Sequence, residues 1–221
     1  NLFDIKNNIE KKTNGKIIIK NNKVYYGNTE IHNSICARII EFISRGQDIN
    51  HLVKFLEKLL NNPSKYVFNN LYEYLNKYNL SIDKDVDIYG LKAVKSNLKS
   101  KWTDSVQYVV GETYSEPRAL LRDDQNNSYC GPALWFGYEQ FVFSYGYGND
   151  HVLVVKVNPE NVIAIPSDSG YQKMAACSIT PILDLGEIQE AKGNFTFKSN
   201  SVYDTVYKGE NIVNNKPKRN K

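Results

Sequence analysis

The stretch from His151 to Ile182 constrains the fold more than any other part of the chain. His151 to Val157 (HVLVVKV) and Val162 to Ile165 (VIAI) are aliphatic, largely β-branched runs of strand length. Asn158-Pro159-Glu160-Asn161 between them reads as a turn, because Pro159 fixes its own φ and brings no N–H to a ladder. Pro166-Ser167-Asp168-Ser169-Gly170 supplies a second turn, and Met174 to Ile179 a returning strand. Three consecutive strands joined by tight turns predict a sheet, against which the earlier segments must pack.

Those segments begin with a hairpin. Lys16 to Lys20 and Lys23 to Tyr26 flank Asn21-Asn22, and asparagine tolerates the positive φ that a two-residue turn requires. Three helical patterns follow. Ile35, Ile39, Ile40, Phe42 and Ile43 share one face of the first, which Gly46 stops. Leu52, Val53, Phe55, Leu56, Leu59 and Leu60 form the second stripe, with Asp48 as N-cap. Asn62-Pro63 caps the third, with proline at its first helical position, and Val67, Phe68, Leu71, Tyr74, Leu75 and Tyr78 are its stripe. Short links between these helices favour antiparallel neighbours.

Further along, Asp87 to Lys95 (DIYGLKAVK) has strand character, and Gly90 within it marks a bulge or a close backbone approach. Residues 96–128 are irregular and polar apart from an expected strand at Val106 to Val110. The aromatic-rich run Cys130 to Gly148 predicts a helix over Pro132 to Ser144, although Gly137 interrupts it. Leu183 to Tyr207 is expected to add one or two strands, Asn194 to Lys198 especially. The expected fold class is therefore α+β. A lead-in (1–14) precedes a β-hairpin and three-helix subdomain (15–82), a mixed or antiparallel twisted-sheet domain (83–207) and a basic tail (208–221).

Charge narrows the function classes. The formal net charge is +4, but Lys216, Lys218, Arg219 and Lys221 all lie in the tail, leaving a neutral body. A neutral body is not the electrostatic footprint of a duplex nucleic-acid binder. The tail reads as solubilising, with phosphate or peripheral membrane contact as its other use. Cys36, Cys130 and Cys177 are widely spaced and form no Cys-x-x-Cys pair, so reduced thiols in a cytoplasm are expected. No apolar run approaches the roughly 18 residues of a spanning helix. The first residues lack a signal-peptide core, and the chain starts without Met, as a processed or trimmed chain would.

Few constellations carry chemistry. His32, His51 and His151 have no metal-ligand spacing, and no phosphate-cradling glycine loop is present. Cys130 would need an approaching histidine to act as a nucleophile; otherwise it is an inert buried thiol. The most informative cluster is Glu116-Pro117-Arg118-Ala119-Leu120-Leu121-Arg122-Asp123-Asp124. Its arginines either neutralise the neighbouring carboxylates at a surface or present planar donor forks to a phosphate or carboxylate. Trp102 and Trp135 flank the cluster and either stack on a ligand base or enter the core.

From about Gly15 to Ile182 the chain resembles the rIIB-like proteins of tailed bacteriophages. The resemblance is carried by collinear segments: Phe55-Leu-Glu-Lys-Leu-Leu-Asn-Asn-Pro-Ser64, Tyr89-Gly-Leu-Lys-Ala-Val-Lys-Ser-Asn97, Pro117-Arg118 with Asp123-Asp124, Val155-Lys-Val-Asn-Pro-Glu-Asn-Val162, Ile165-Pro-Ser-Asp168 and Gln172-Lys-Met174. Where the family usually carries Gly-Leu-His, this chain has Ala133-Leu134-Trp135, and an indole has no basic nitrogen to serve as a general base. Where the family tends to an Arg-Tyr-Glu-like strand end, this chain has Cys177-Ser-Ile-Thr180. By fold analogy the family pattern looks like an ADP-ribosyltransferase scaffold.

The resemblance implies a phage protein that works with a companion phage protein in lysis control and against host exclusion or abortive infection. Two expectations follow. The first is an accessory protein that antagonises a host defence without catalysis, by binding a host or phage protein or by sequestering a nucleotide-type signal. Arg118, Arg122, Lys92 and Lys173 would then be the anion contacts and Trp135 the stacking surface, with no resident cofactor. The alternative is an ADP-ribosyltransferase-like enzyme using NAD, with Glu112, Glu116 or Glu187 supplying its carboxylate.

Overall fold

The computed structural model describes residues 7, 9–11, 13–78, 80–121, 131–167 and 170–194. The N-terminal hairpin forms as the sequence indicates. β1 (Ile17–Lys20) pairs antiparallel with β2 (Lys23–Tyr26), with Asn21 and Asn22 both left-handed at φ 50° and 56°. β3 (Thr29–Glu30) adds a short third strand. Ile17, Ile19 and Val24 are buried, as period-two alternation requires when one face of a hairpin is covered.

Three helices follow: α1 (Ser34–Ser44), α2 (Asn50–Leu60) and α3 (Lys65–Lys77). Asn33 caps α1 by accepting from the Cys36 N–H, and Gly46 lies just beyond its end at φ 67°. The other two caps differ from expectation. Asp48 lies one position before the N-cap, Ile49, yet its carboxylate still accepts the Asn50 N–H at 3.1 Å. Ser64, not Asn62, caps α3 by accepting from Val67, so Pro63 precedes the helix. α2 packs on the turn Pro159–Asn161, and α3 packs on an edge strand of the large sheet.

That sheet is antiparallel at every described pairing. In chain order its strands are β4 (Ile88–Val94), β5 (Tyr114–Ser115), β6 (Leu134–Gly137), β7 (His151–Val157), β8 (Val162–Ala164), β9 (Lys173–Ala176) and β10 (Ser178–Glu187). Across the sheet they run β5-β10-β7-β4-β6-β9-β8, with β4 in the middle. β4 pairs with β7 from Ile88 opposite Val157 to Val94 opposite His151. Every residue of β4 except Lys92 is buried, because both faces of a central strand are covered. Two register shifts between β10 and β7 fit a sheet that curls. The result is an α+β fold whose main buried cluster runs from Ile9 to Ala191, beside a small second one of Ile163, Ala164 and Ala175.

The predicted order of strands is corrected in one respect. β7 and β8 are consecutive but not neighbours: the turn at Pro159–Asn161 carries the chain from the sheet centre to its edge. The returning strand is two strands, β9 and β10, interrupted at Cys177, whose N–H bonds the Asn161 carbonyl at 2.9 Å. Val106 to Val110 is not a strand; Gln107 makes only an isolated bridge to Lys99. The helix expected over Pro132 to Ser144 is instead β6 followed by α4 (Glu139–Tyr145). Gly137 ends β6 where a Cβ would stand 2.7 Å from the Gln172 carbonyl oxygen. Gly90 makes a close approach rather than a bulge, its face filled by the Phe136 ring. A last helix, α5 (Ile188–Asn194), follows β10, and the strand expected at Asn194 to Lys198 lies largely outside the described residues.

Candidate functional site

Three adjacent strands, β4, β6 and β9, place Lys92, Trp135 and Lys173 around one hollow of about 570 Å³. The register accounts for the grouping: Leu91 stands opposite Gly137, Gly137 opposite Lys173 and Trp135 opposite Ala175. Side chains some 80 positions apart in sequence thereby share a wall. The other walls come from the segment Ser100–Thr103 with Trp102, from Phe141, Val142 and Tyr145 of α4, and from Leu120 and Leu121. The lining is mainly apolar, with few polar groups, as in small-molecule sites.

Each polar group is held by identifiable partners. The Lys173 side chain is only 6% exposed and sets its ammonium 4.9 Å from the centre of the Trp135 ring. The indole N–H of Trp135 donates to the Gly131 carbonyl at 3.0 Å, fixing the ring. Lys92 donates from Nζ to the Trp135 carbonyl at 2.8 Å and lies 5.2 Å from the Tyr108 ring centre. Burial pushes the Lys92 ammonium down to about 8, because desolvation disfavours its charged form. Burial pushes the Tyr108 phenol up to about 12, so its hydroxyl stays protonated at neutral pH. Glu116 adds a carboxylate to the wall.

Arg118 does not belong to this group. It lies on the 3₁₀ turn Arg118–Leu120, and its guanidinium donates to Glu160 O at 2.9 Å, Asn62 Oδ1 at 3.0 Å and Val162 O at 3.1 Å. The expected anion contact is therefore an anchor for neutral acceptors, and what it positions is the wall formed by Leu120 and Leu121. Arg122 and Cys130, singled out from the sequence, lie outside the described residues. Of the two alternative roles for tryptophan, Trp102 does not take the core one: it is 64% exposed and stands at the rim of the hollow.

Lys101 was not foreseen. Its ammonium pairs with Asp150, both nearly buried, and lies over Tyr145 and Tyr147 at 5.0 Å and 3.9 Å. Nothing local marks a pair 49 residues apart, although the tyrosine-rich run 145–147 hints at a cation nearby. The histidines serve elsewhere. His51 is buried in α2 against Phe42, and His151 Nδ1 pairs with Asp184 at 2.9 Å across β7 and β10. Among the described residues no His, Cys, Asp and Glu cluster has the makings of a metal site. Cys36 is buried, which pushes its thiol up to about 12 and leaves it un-ionised at neutral pH. No helix among the described residues is long and apolar enough to cross a membrane.

The fold and hollow define an α+β protein whose curled antiparallel sheet carries an apolar, lysine-bearing cleft faced by an indole. The family described as Bacteriophage T4 protein rIIB matches residues 6–186, and the chain belongs to that family. It is 27% identical over 185 residues to protein rIIB of Enterobacteria phage T4, covering 84% of this chain and 59% of that relative. The chain thus spans about three fifths of the length of the curated relative it matches. No solved structure matches it.

Proposed function

We propose that the chain is a phage accessory protein that acts with a companion phage protein in lysis control and against host exclusion, and that its hollow sequesters a nucleotide-type signal without turning it over. One observation carries the ligand: Lys92 and Lys173 converge with the face of Trp135 on a single apolar hollow of about 570 Å³. A base stacks on the indole while the lysines neutralise phosphate, a pairing of aromatic face and cation that suits nucleotides. The hollow is within the usual range for small-molecule sites. Absence of turnover follows from Trp135 standing where the family pattern carries histidine. The test is a calorimetric titration with NAD, ADP-ribose and cyclic nucleotides on the intact chain. Binding that weakens about tenfold in Lys173→Ala and in Trp135→Ala is the expected result. No heat with any ligand would leave only protein partners for this role.

A second reading rests on Glu116, the one carboxylate of Glu112, Glu116 and Glu187 at the wall. It would stand beside a nicotinamide ribose and make the protein an ADP-ribosyltransferase-like enzyme. Incubation with labelled NAD decides: hydrolysis or transfer that is lost in Glu116→Gln favours this reading, and an unconsumed NAD pool removes it.

A further inference from the structure

We infer that Lys92 captures the carbonyl group of its ligand covalently, as an imine, and that the hollow is built for phosphate-bearing ligands with an aldehyde, such as nucleotides ending in a reducing sugar. The inference rests on the reading of the hollow as an anion site and deepens it.

The contrast among lysines carries the argument. Two other lysines with well-covered heads sit against a carboxylate, Lys58 bonding Asp87 at 2.6 Å and Lys101 pairing with Asp150, whereas Lys173 lies over the Trp135 ring. Lys92 instead has a backbone carbonyl and the Tyr108 ring, and no carboxylate pairs with it among the described residues. A desolvated ammonium head without a counter-charge is costly, even on a half-buried lysine, so a purely structural role here comes at the fold's expense. The same environment makes it a nucleophile. With its ammonium held down at about 8, the neutral amine is populated at neutral pH far more than on an ordinary lysine. The Trp135 carbonyl accepts one N–H and aims the head, and the adjoining hollow leaves room for a carbonyl carbon.

The reaction balances without an outside oxidant or reductant. The Nζ lone pair forms a bond to the carbonyl carbon, giving a carbinolamine. The former carbonyl oxygen then leaves as water with both protons that the amine carried, and a C=N bond remains. Glu116 lines the same hollow and is the carboxylate that would pass protons between nitrogen and oxygen. Lys173, over Trp135, supplies the charge for a phosphate.

Pyridoxal 5′-phosphate serves as the probe, at one equivalent and neutral pH, followed by borohydride and peptide mass spectrometry. The expected result is a reduced adduct on Lys92 formed at least about tenfold faster than on solvent-exposed lysines, its neutral fraction being larger by roughly two orders of magnitude and its amine less basic. AMP should slow it by competition, Lys173→Met should slow it, and Lys92→Arg should abolish it with the circular-dichroism spectrum unchanged. Labelling spread over exposed lysines with Lys92 unmodified would overturn the inference. Calorimetry with AMP on Lys92→Arg separates the two claims. If AMP binds while no adduct forms on the parent chain, covalent capture fails and the anion site stands. If AMP binds neither chain and no adduct forms, both fail.

Discussion

The Asn62 carboxamide and the Arg118 guanidinium, 56 residues apart, join at 3.0 Å and together bind the backbone of the turn Pro159–Asn161 and of Val162 just after it. Asn62 donates to the carbonyls of Pro159 and Val162, each at 2.8 Å, and its oxygen also accepts the Ser64 N–H at 2.9 Å. The link between α2 and α3 is thereby fastened to the sheet edge, and so is the turn whose Leu120 lines the hollow. Asn62→Ala leaves several buried groups without partners and is expected to cost about 2–4 kcal/mol. Arg118→Ala should cost about 1–3 kcal/mol, with a double-mutant coupling of roughly 0.5–3 kcal/mol. Urea unfolding of the four chains measures this; strict additivity would show that the contact carries no energy.

Gly137 has no room for a methyl group. A Cβ there would lie 2.7 Å from the Gln172 carbonyl oxygen, which is backbone just before β9 and cannot rotate away. Gly137→Ala is expected to lose about 1–3 kcal/mol and to disturb the β6–β9 pairing that joins Trp135 to Lys173. Gly146→Ala makes the informative comparison, since its nearest obstacle is the flexible end of Ile188. It should cost less in the same thermal melts.

These two sites show what the sequence does and does not reveal. Asn21-Asn22 and the aliphatic stripes of the three helices act locally, so the hairpin and helices are legible from residue order alone. The sheet order is not, because β4 finds β7 and β6 through contacts between distant segments. Trp135 and Phe136 sit in an aromatic run whose apolar density suits a buried strand as well as a helix. Arg118 looks like a ligand contact because a sequence displays side chains and hides backbone carbonyls, and two of its three acceptors are backbone carbonyls. Lys92, Trp135 and Lys173 could be named as candidates by residue type, but the hollow that unites them exists only after β4, β6 and β9 align.

His51 makes stability fall in acid. Burial in α2 lowers it from the usual 6.5 to about 4, so the unfolded chain takes up the proton first as pH drops. Its contribution is intact above about 6.5, declines from there, and is fully lost below about 4, amounting to about 3 kcal/mol. Carboxylates titrate in the same range, so the measurement is a difference between the parent chain and His51→Leu. Unfolding midpoints of the two should diverge between pH 7 and pH 4.5, with the parent falling more steeply. Parallel pH profiles would contradict the buried neutral imidazole.

Lys92 gives a pH signature of the same sign in a higher window. Its folded state resists the charge that the unfolded chain carries up to the usual 10.5, so the full penalty applies below about 8 and disappears as pH rises through 10.5. Lys92→Met keeps the length of the side chain, removes the charge and gives up one hydrogen bond to the Trp135 carbonyl. The first effect outweighs the second, because a bond from a charged donor contributes about 1.5–3 kcal/mol while the depressed ammonium reflects about 3 kcal/mol. The substitution should therefore raise stability by up to about 1 kcal/mol at pH 7, with the gain shrinking toward pH 10. Such stabilisation together with loss of the pyridoxal phosphate adduct is the pattern of a residue kept for chemistry at a cost to the fold. A destabilised Lys92→Met at pH 7 would instead make the lysine a structural tie between β4 and β6.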